Sequence, residues 1–245
     1  MPFVYTVIAL FAGAYVGRWI AIISSKLPKM LLEGFKNGQT PRSLLKDSLK
    51  PIPCFNCHYL LVGFSNAPII GYLINQRKCP NCLHPFHQRN FIIELFTCLL
   101  FGLTILIFSV TPASIFTILA ASLLICCFLT DLEYGLLPNQ FTQPLLWVAL
   151  IASLFNVFTT PEQAIIGALV GYGILWINNE IYRYFRHREG IYPGDFKLNC
   201  AVGACVGPKI YIVILMASLL LLIVGSLIQF LYRNRSLDSG YLTME

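Results

Sequence analysis

Apolar residues arrive in long runs along this chain, separated by short turns and by one extended polar stretch. The runs cover residues 3–24, 91–110, 113–130, 141–158, 162–180 and 210–232. A membrane-spanning helix needs roughly 20 mostly apolar residues, so the pattern predicts six spans. A shorter stretch at 198–208, with Gly203, Gly207, Cys200 and Cys205, reads either as a short span or as a re-entrant element. The long polar stretch is 26–90. The predicted organisation is a first transmembrane helix at 1–25, an insertion at 26–90, a transmembrane bundle at 91–233 and a tail at 234–245. The fold class is an all-α polytopic membrane protein of about seven transmembrane helices, with a small cytoplasmic insertion.

Composition agrees. Hydrophobic residues make up 57 % of the 245 and charged residues 11 %, with a mean hydropathy of +0.70. Soluble domains carry about 25 % charged residues, and the apolar runs recur too often for a soluble domain on one anchor. The first run, "MPFVYTVIALFAG", lacks a basic start, and Arg18 and Trp19 interrupt its end. It reads as a helix of the mature protein rather than a signal peptide.

The basic residues orient the chain. The stretch 26–90 holds Lys26, Lys29, Lys36, Arg42, Lys46, Lys50, Arg77, Lys78 and Arg89; residues 182–197 hold Arg183, Arg186, Arg188 and Lys197; the tail holds Arg233 and Arg235. The turns near 111–113 and 159–161 hold none. The positive-inside rule puts the insertion in the cytoplasm. Seven crossings place every basic stretch on that side, with Lys209 alone on the far side. The net charge of +6 is accounted for by these loops and calls for no nucleic-acid partner. The partner that matters is the lipid bilayer.

Within the insertion, "PCFNCHYL" and "KCPNCLHPF" carry two Cys-x-x-Cys pairs, Cys54/Cys57 and Cys79/Cys82, with 21 residues between them. Four thiolates so arranged suit a tetrahedral zinc ion, and a reducing compartment disfavours disulfides. Pro53, Pro80 and Asn81 favour the tight turns that such knuckles need. A polar segment this small cannot bury enough surface to fold alone, and metal binding supplies folding free energy. The zinc is therefore expected to be structural. The plainer alternative is four free thiols in a loop-rich segment. His58, His84 and His87 are read as bystanders, and Cys98, Cys126, Cys127, Cys200 and Cys205 as small apolar residues of the spans.

Two aspartates stand at span ends on the cytoplasmic side. Asp131 closes the run "ICCFLTD", and Asp195 follows Pro193-Gly194 in "YPGDFKLNCAVGACVG". An ionisable group at membrane depth is costly and marks function by default. Two carboxyls within a few ångströms cannot both ionise readily, so one keeps a proton while its partner accepts one from water. That combination suits peptide hydrolysis. Taken singly, each aspartate also reads as an ordinary solvated helix end, as Glu133 beside Asp131 illustrates. Lys197 either modulates Asp195 or extends to lipid phosphates. Glu94 lies about one turn inside the second run, where either a basic partner or a substrate amine offsets its cost or it stays neutral and protonated beside a polar neighbour.

These features in order resemble the prepilin peptidases, membrane aspartyl proteases that process type IV prepilins and the pseudopilins of type II secretion. "KLP" at 26–28, the two knuckles with "APIIGYL" at 67–73 between them, "RNFIIELF" at 89–96, "TDLEYGLLPNQFTQPLLW" at 130–147 and "EGIYPGDFKLNCAVGACVG" at 189–207 carry the resemblance. It implies Asp131 and Asp195 as the catalytic pair, with Gly194 in the second motif, and Cys54, Cys57, Cys79 and Cys82 as zinc ligands. It also implies an inner-membrane enzyme that removes a basic leader on the cytoplasmic side. The new N-terminus is then methylated from S-adenosylmethionine, and pilus or secretion assembly proteins become possible partners. Three features depart from the family. Tyr192 stands where its Gly-x-Gly-Asp motif opens, and Arg18 and Ala21 replace the Ser and Asn of its Gly-Ser-Phe-Leu-Asn segment. Its eighth span, opening on Pro-Phe-Gly-Pro, has no counterpart before "LDSGYLTME". The alternatives are a peptidase without methylation and a transporter with functional carboxylates; a scaffold subunit leaves both aspartate motifs unexplained.

Overall fold

The computed structural model describes residues 2–37, 57, 69, 78–79, 81–83, 88–188 and 190–241. Cys54, His58, His84 and His87 lie outside the described residues, as does most of the expected insertion. Every element described is an α-helix: α1 (Pro2–Asn37), α2 (Gln88–Phe108), α3 (Pro112–Tyr134), α4 (Asn139–Leu154), α5 (Pro161–Arg186) and α6 (Pro193–Tyr241).

The helix boundaries follow local chemistry. Pro112 and Pro161 occupy first-turn positions of α3 and α5, where the missing N–H costs nothing. Thr160 caps α5 by accepting from the Gln163 N–H at 3.4 Å. Gly135, at φ 60°, ends α3 in the left-handed region and donates its N–H to the Asp131 carbonyl at 2.8 Å. α1 runs on to Asn37, past the expected boundary at residue 25.

Among the described residues, five helices are long and apolar enough to cross a membrane: those at Phe3–Leu31, Gln88–Phe108, Pro112–Tyr134, Pro161–Arg186 and Pro193–Phe230. Of the six full-length spans expected beside the shorter stretch at 198–208, the one at 141–158 falls short of that length. α4 has 16 residues, or about 24 Å at 1.5 Å per residue, against a hydrocarbon core of about 30 Å. Its expected run to 158 stops early because the chain leaves the helix at Phe155 and turns at Asn156, φ 51°.

α6 is two legs joined at Gly207, whose φ 76° and ψ 167° are not helical. Tyr211 donates its hydroxyl to the Asn199 Oδ1 at 2.9 Å, 12 residues back. A straight helix separates such residues by about 18 Å, so the chain turns back sharply at Gly207-Pro208. The short stretch expected at 198–208 thus begins earlier, at Pro193, as the first leg of a helical hairpin. Pro193-Gly194 opens this leg instead of interrupting it, and the break falls at Gly207.

Large apolar side chains such as Leu103, Leu106, Leu169, Leu221 and Leu222 are exposed. Small and hydroxylic ones, including Ser24, Thr97, Thr130, Thr142 and Ser153, are buried between helices. This inverts a water-soluble bundle and is what lipid-facing helices require, since close packing and interhelical polar contacts hold such helices together. A core of Ile20, Ala21, Leu27, Ile93, Cys126, Cys127, Leu129 and Phe141 joins α1, α2, α3 and α4.

Candidate active site

Asp131 lies in the last turn of α3 with its side chain exposed, and Asp195 in the first turn of α6, half-buried. The two termini meet where the loop after α3 packs on the start of α6. Two devices bring the motifs together. A Cβ on Gly194 would lie 2.7 Å from the Leu137 Cβ and 3.0 Å from its carbonyl oxygen, so only glycine lets the start of α6 sit against the loop after α3. Lys197 reaches across the same seam and donates to the Asn139 Oδ1 at 2.7 Å. Its hydrogen bond thus goes to the α4 start.

Asp195 is held from both sides. Its Oδ2 accepts from the Tyr192 N–H at 3.2 Å, and its own N–H donates to the Tyr192 carbonyl at 3.0 Å, a reciprocal cap of the helix start. Asn199, one turn on, donates from Nδ2 to the Asp195 carbonyl at 2.9 Å and accepts from buried Tyr211. Behind the loop, Asn179 of α5 is 8 % exposed and its Oδ1 accepts from the Gly190 and Ile191 N–H groups at 3.0 and 3.1 Å. Sequence reading passed over Asn179, although an amide well inside an apolar helix was the available signal.

Glycines set the seams on either side. A Cβ on Gly167 would lie 2.1 Å from the Gly203 carbonyl oxygen, one on Gly203 2.2 Å from the Gly167 oxygen, and one on Gly171 2.3 Å from the Asn199 oxygen. Gly167/Gly171 on α5 and Gly203/Gly207 on α6 are paired small-xxx-small motifs. Gly13 and Gly17 repeat the spacing on α1, against Thr97 and Phe101 of α2. Only Gly203 and Gly207 were singled out from sequence; the four-residue spacing marked the others.

Glu94 is buried, and the basic partner it requires is Arg18: Nη1 lies 3.6 Å from Oε1, while Oε2 accepts from the Ile69 N–H at 2.7 Å. The residue that departs from the family pattern thus answers the buried acid. This pair lies on the α1/α2 seam.

In the insertion, the Sγ atoms of Cys57, Cys79 and Cys82 all lie within 4.8 Å of one another, with Cys57 and Cys79 3.7 Å apart. Tetrahedral ligands about 2.3 Å from a zinc ion stand roughly 3.8 Å from each other, whereas a disulfide brings sulfurs to about 2.05 Å. The three thiols are therefore spaced to hold a metal. In the spans, Cys126 and Cys127 are buried, and Cys98, Cys200 and Cys205 half-buried.

The profile of the type IV leader peptidase family matches residues 118–227, which contain both aspartates, and that of the bacterial peptidase A24 N-terminal domain matches residues 11–108. A Pseudomonas aeruginosa protein described as prepilin leader peptidase/N-methyltransferase is 30 % identical over 98 % of this chain and 85 % of its own length. A Neisseria gonorrhoeae protein of the same description is 28 % identical over 95 % of this chain and 85 % of its own. One from Dichelobacter nodosus is 34 % identical over 69 % of this chain and 59 % of its own. No solved structure matches. With both halves matched in order and the two aspartate motifs side by side at the helix ends, the chain belongs to the prepilin peptidase family.

Proposed function

We propose that this chain is a membrane aspartyl endopeptidase. It cleaves the basic leader from a type IV prepilin or pseudopilin at the cytoplasmic face of the inner membrane, then methylates the new N-terminus. The observation that carries the reading is the meeting of the two aspartate-bearing helix termini, where Gly194 lies against Leu137 and Lys197 bonds Asn139. A prepilin joins a basic leader to an apolar segment, so its scissile bond lies where lipid gives way to water. On this reading the end of α3 and the start of α6 lie at such a boundary.

Hydrolysis there needs one carboxylate to take a proton from water and one carboxylic acid to polarise the scissile carbonyl. Like charges this near favour that shared-proton state, which is a property of the pair. The Tyr192 N–H and Asn199 hold Asp195 in one orientation, so attack geometry is set before substrate arrives. The distribution of Lys and Arg supports cytoplasmic placement, with α4 and the first leg of α6 as the two short crossings that complete seven. The methylation step calls for S-adenosylmethionine as donor, and no step is routed through a particular residue.

For the metal, thiolate ligands and their spacing favour zinc. Cys57, Cys79 and Cys82 hold it with Cys54 as the fourth ligand, closing the insertion as a structural unit. Its role is to fold the segment between α1 and α2.

The deciding experiment incubates the purified protein in detergent with a prepilin leader peptide, with and without S-adenosylmethionine, and reads products by mass spectrometry. Cleavage in both, with a methyl group added only with the donor, is expected. Cleavage without methylation under either condition would leave a peptidase alone, and no cleavage by a folded enzyme would sink the reading.

A further inference from the structure

One side chain joins the start of α2 and the end of α3 to the middle of α1, close to Asp131. Arg89, in the first turn of α2, donates from Nη2 to the Ser24 Oγ at 2.9 Å and from Nη1 to the Ala21 carbonyl at 3.2 Å, both on α1. Its Nη1 also donates to the neighbouring Asn90 Oδ1 at 3.3 Å. Its Nε pairs with the Glu133 Oε1 in the last turn of α3. The planar guanidinium offers these donors in a fixed fork, which a lysine cannot do. A second tie runs parallel, from the Tyr134 hydroxyl to the Ser25 carbonyl at 3.0 Å.

We infer that Arg89 is a positioning residue for Asp131, acting through Glu133. Asp131 projects from a turn that Glu133 ties to Arg89 and Tyr134 ties to α1. The Asp131 carbonyl takes only the closing bond of its own helix, from Gly135, whereas Asp195 has its own cap and its own amide brace. The side chains of Arg89 and Glu133 are 24 % and 27 % exposed, and pairs this open to solvent add little stability. What the contact adds is direction: it sets where the α3 end stands relative to the start of α6. A carboxylate displaced by about 1 Å from its working position loses up to about a hundredfold in rate. The inference rests on the reading of Asp131 and Asp195 as the hydrolytic pair.

The test measures kcat and KM for prepilin cleavage in detergent by Arg89→Gln, Arg89→Lys, Glu133→Gln and the Arg89→Gln/Glu133→Gln double variant. Asp131→Asn serves as control. Each Gln variant is expected to lose about tenfold or more in kcat, with KM within about twofold. The double variant should be no slower than the slower single one, since both break the same tie. Arg89→Lys should recover only part of the rate, because it reaches one partner at a time. If Arg89→Gln does not fold, Glu133→Gln decides alone, since it keeps the side chain's shape and an oxygen acceptor. A raised KM at unchanged kcat would overturn the inference, because Glu133 would then be meeting the basic leader directly. Multiplicative losses in the double variant, or wild-type kcat in both singles, would overturn it too. An inactive Asp131→Asn beside a fully active Arg89→Gln would remove the inference alone, whereas an active Asp131→Asn would remove the peptidase reading beneath it.

Discussion

The two halves of the bundle each deliver one aspartate, and they are held together by different means. In the half built from α1, α2 and α3, the seam carries charge: Glu94 faces Arg18, and Arg89 faces Glu133. Gly17 there closes against a side chain, the Thr97 Oγ1 at 1.9 Å from an added Cβ. In the half built from α5 and α6, the interior polar groups are neutral, with Asn179, Asn199 and Tyr211 bonded to backbone and to one another. Gly167, Gly171 and Gly203 close against backbone carbonyls, as Gly13 does on α1. A glycine that closes first on a side chain, as Gly17 does, has a partner that can be trimmed, and one that closes on backbone has none. Charged ties orient the α3 end from outside, while the amide network builds the α6 start from within.

The largest expected effects join the halves. Asp131→Asn and Asp195→Asn should each abolish cleavage, because an amide neither accepts the proton from water nor restores a shared-proton pair. The double variant should be no worse than either single one, as expected of groups that act as a unit. Membrane insertion and metal content should stay at wild-type levels. Turnover near wild type by either folded single variant would break the pair, and with it the idea that the halves meet at a reaction centre.

Next come the glycines. Gly203→Ala should cost at or above the upper end of the ~1–3 kcal/mol typical of overpacking, read as a lowered thermal midpoint in detergent. No second substitution on α5 should relieve it, because the Gly167 carbonyl is backbone. Gly17→Ala should also destabilise, but Thr97→Ala should restore part of the loss by removing the nearest atom. Equal rescue in both halves would erase the distinction between the seams.

A third effect concerns the insertion between α1 and α2. Replacing Cys57 and Cys79 by serine should remove bound zinc, measured by element-resolved analysis, and lower folded yield more than the cleavage rate of the enzyme that does fold. Metal-free wild-type protein that is well folded would refute the metal assignment.

The smallest effects compare the neutral network with the charged pair directly. Asn179→Ala strips the acceptor from two backbone N–H groups and should cost about 1–3 kcal/mol, with faster amide exchange at Gly190 and Ile191. Glu94→Gln keeps an acceptor for the Ile69 N–H but loses the attraction to Arg18, and should cost less while leaving cleavage intact. A loss of cleavage in Glu94→Gln would show that the charged half does more than hold helices.

Sequence by itself determined the membrane class, the position of most helices, and the four motifs that carry chemistry. The reason is that the bilayer imposes a length and polarity rule on each helix separately, and such a rule is legible residue by residue. It placed Asp131 and Asp195 at helix ends for the same reason. It misjudged α4 and the chain around 193–208, because a short helix lying against neighbours does not need the full apolar length that lipid demands. What only the tertiary structure decided is who faces whom. Glu94 was legible as an acid inside an apolar run, but that Arg18, 76 residues earlier, serves it depends on α1 and α2 closing at Gly13 and Gly17. Nor could the chain alone show that Gly194 meets Leu137, that Tyr211 folds back onto Asn199, or that Arg89 ties Glu133 to α1. Each of these is a contact between surfaces far apart in sequence, and such contacts are fixed by packing at glycine seams, where the absence of a side chain leaves little for a local pattern to announce.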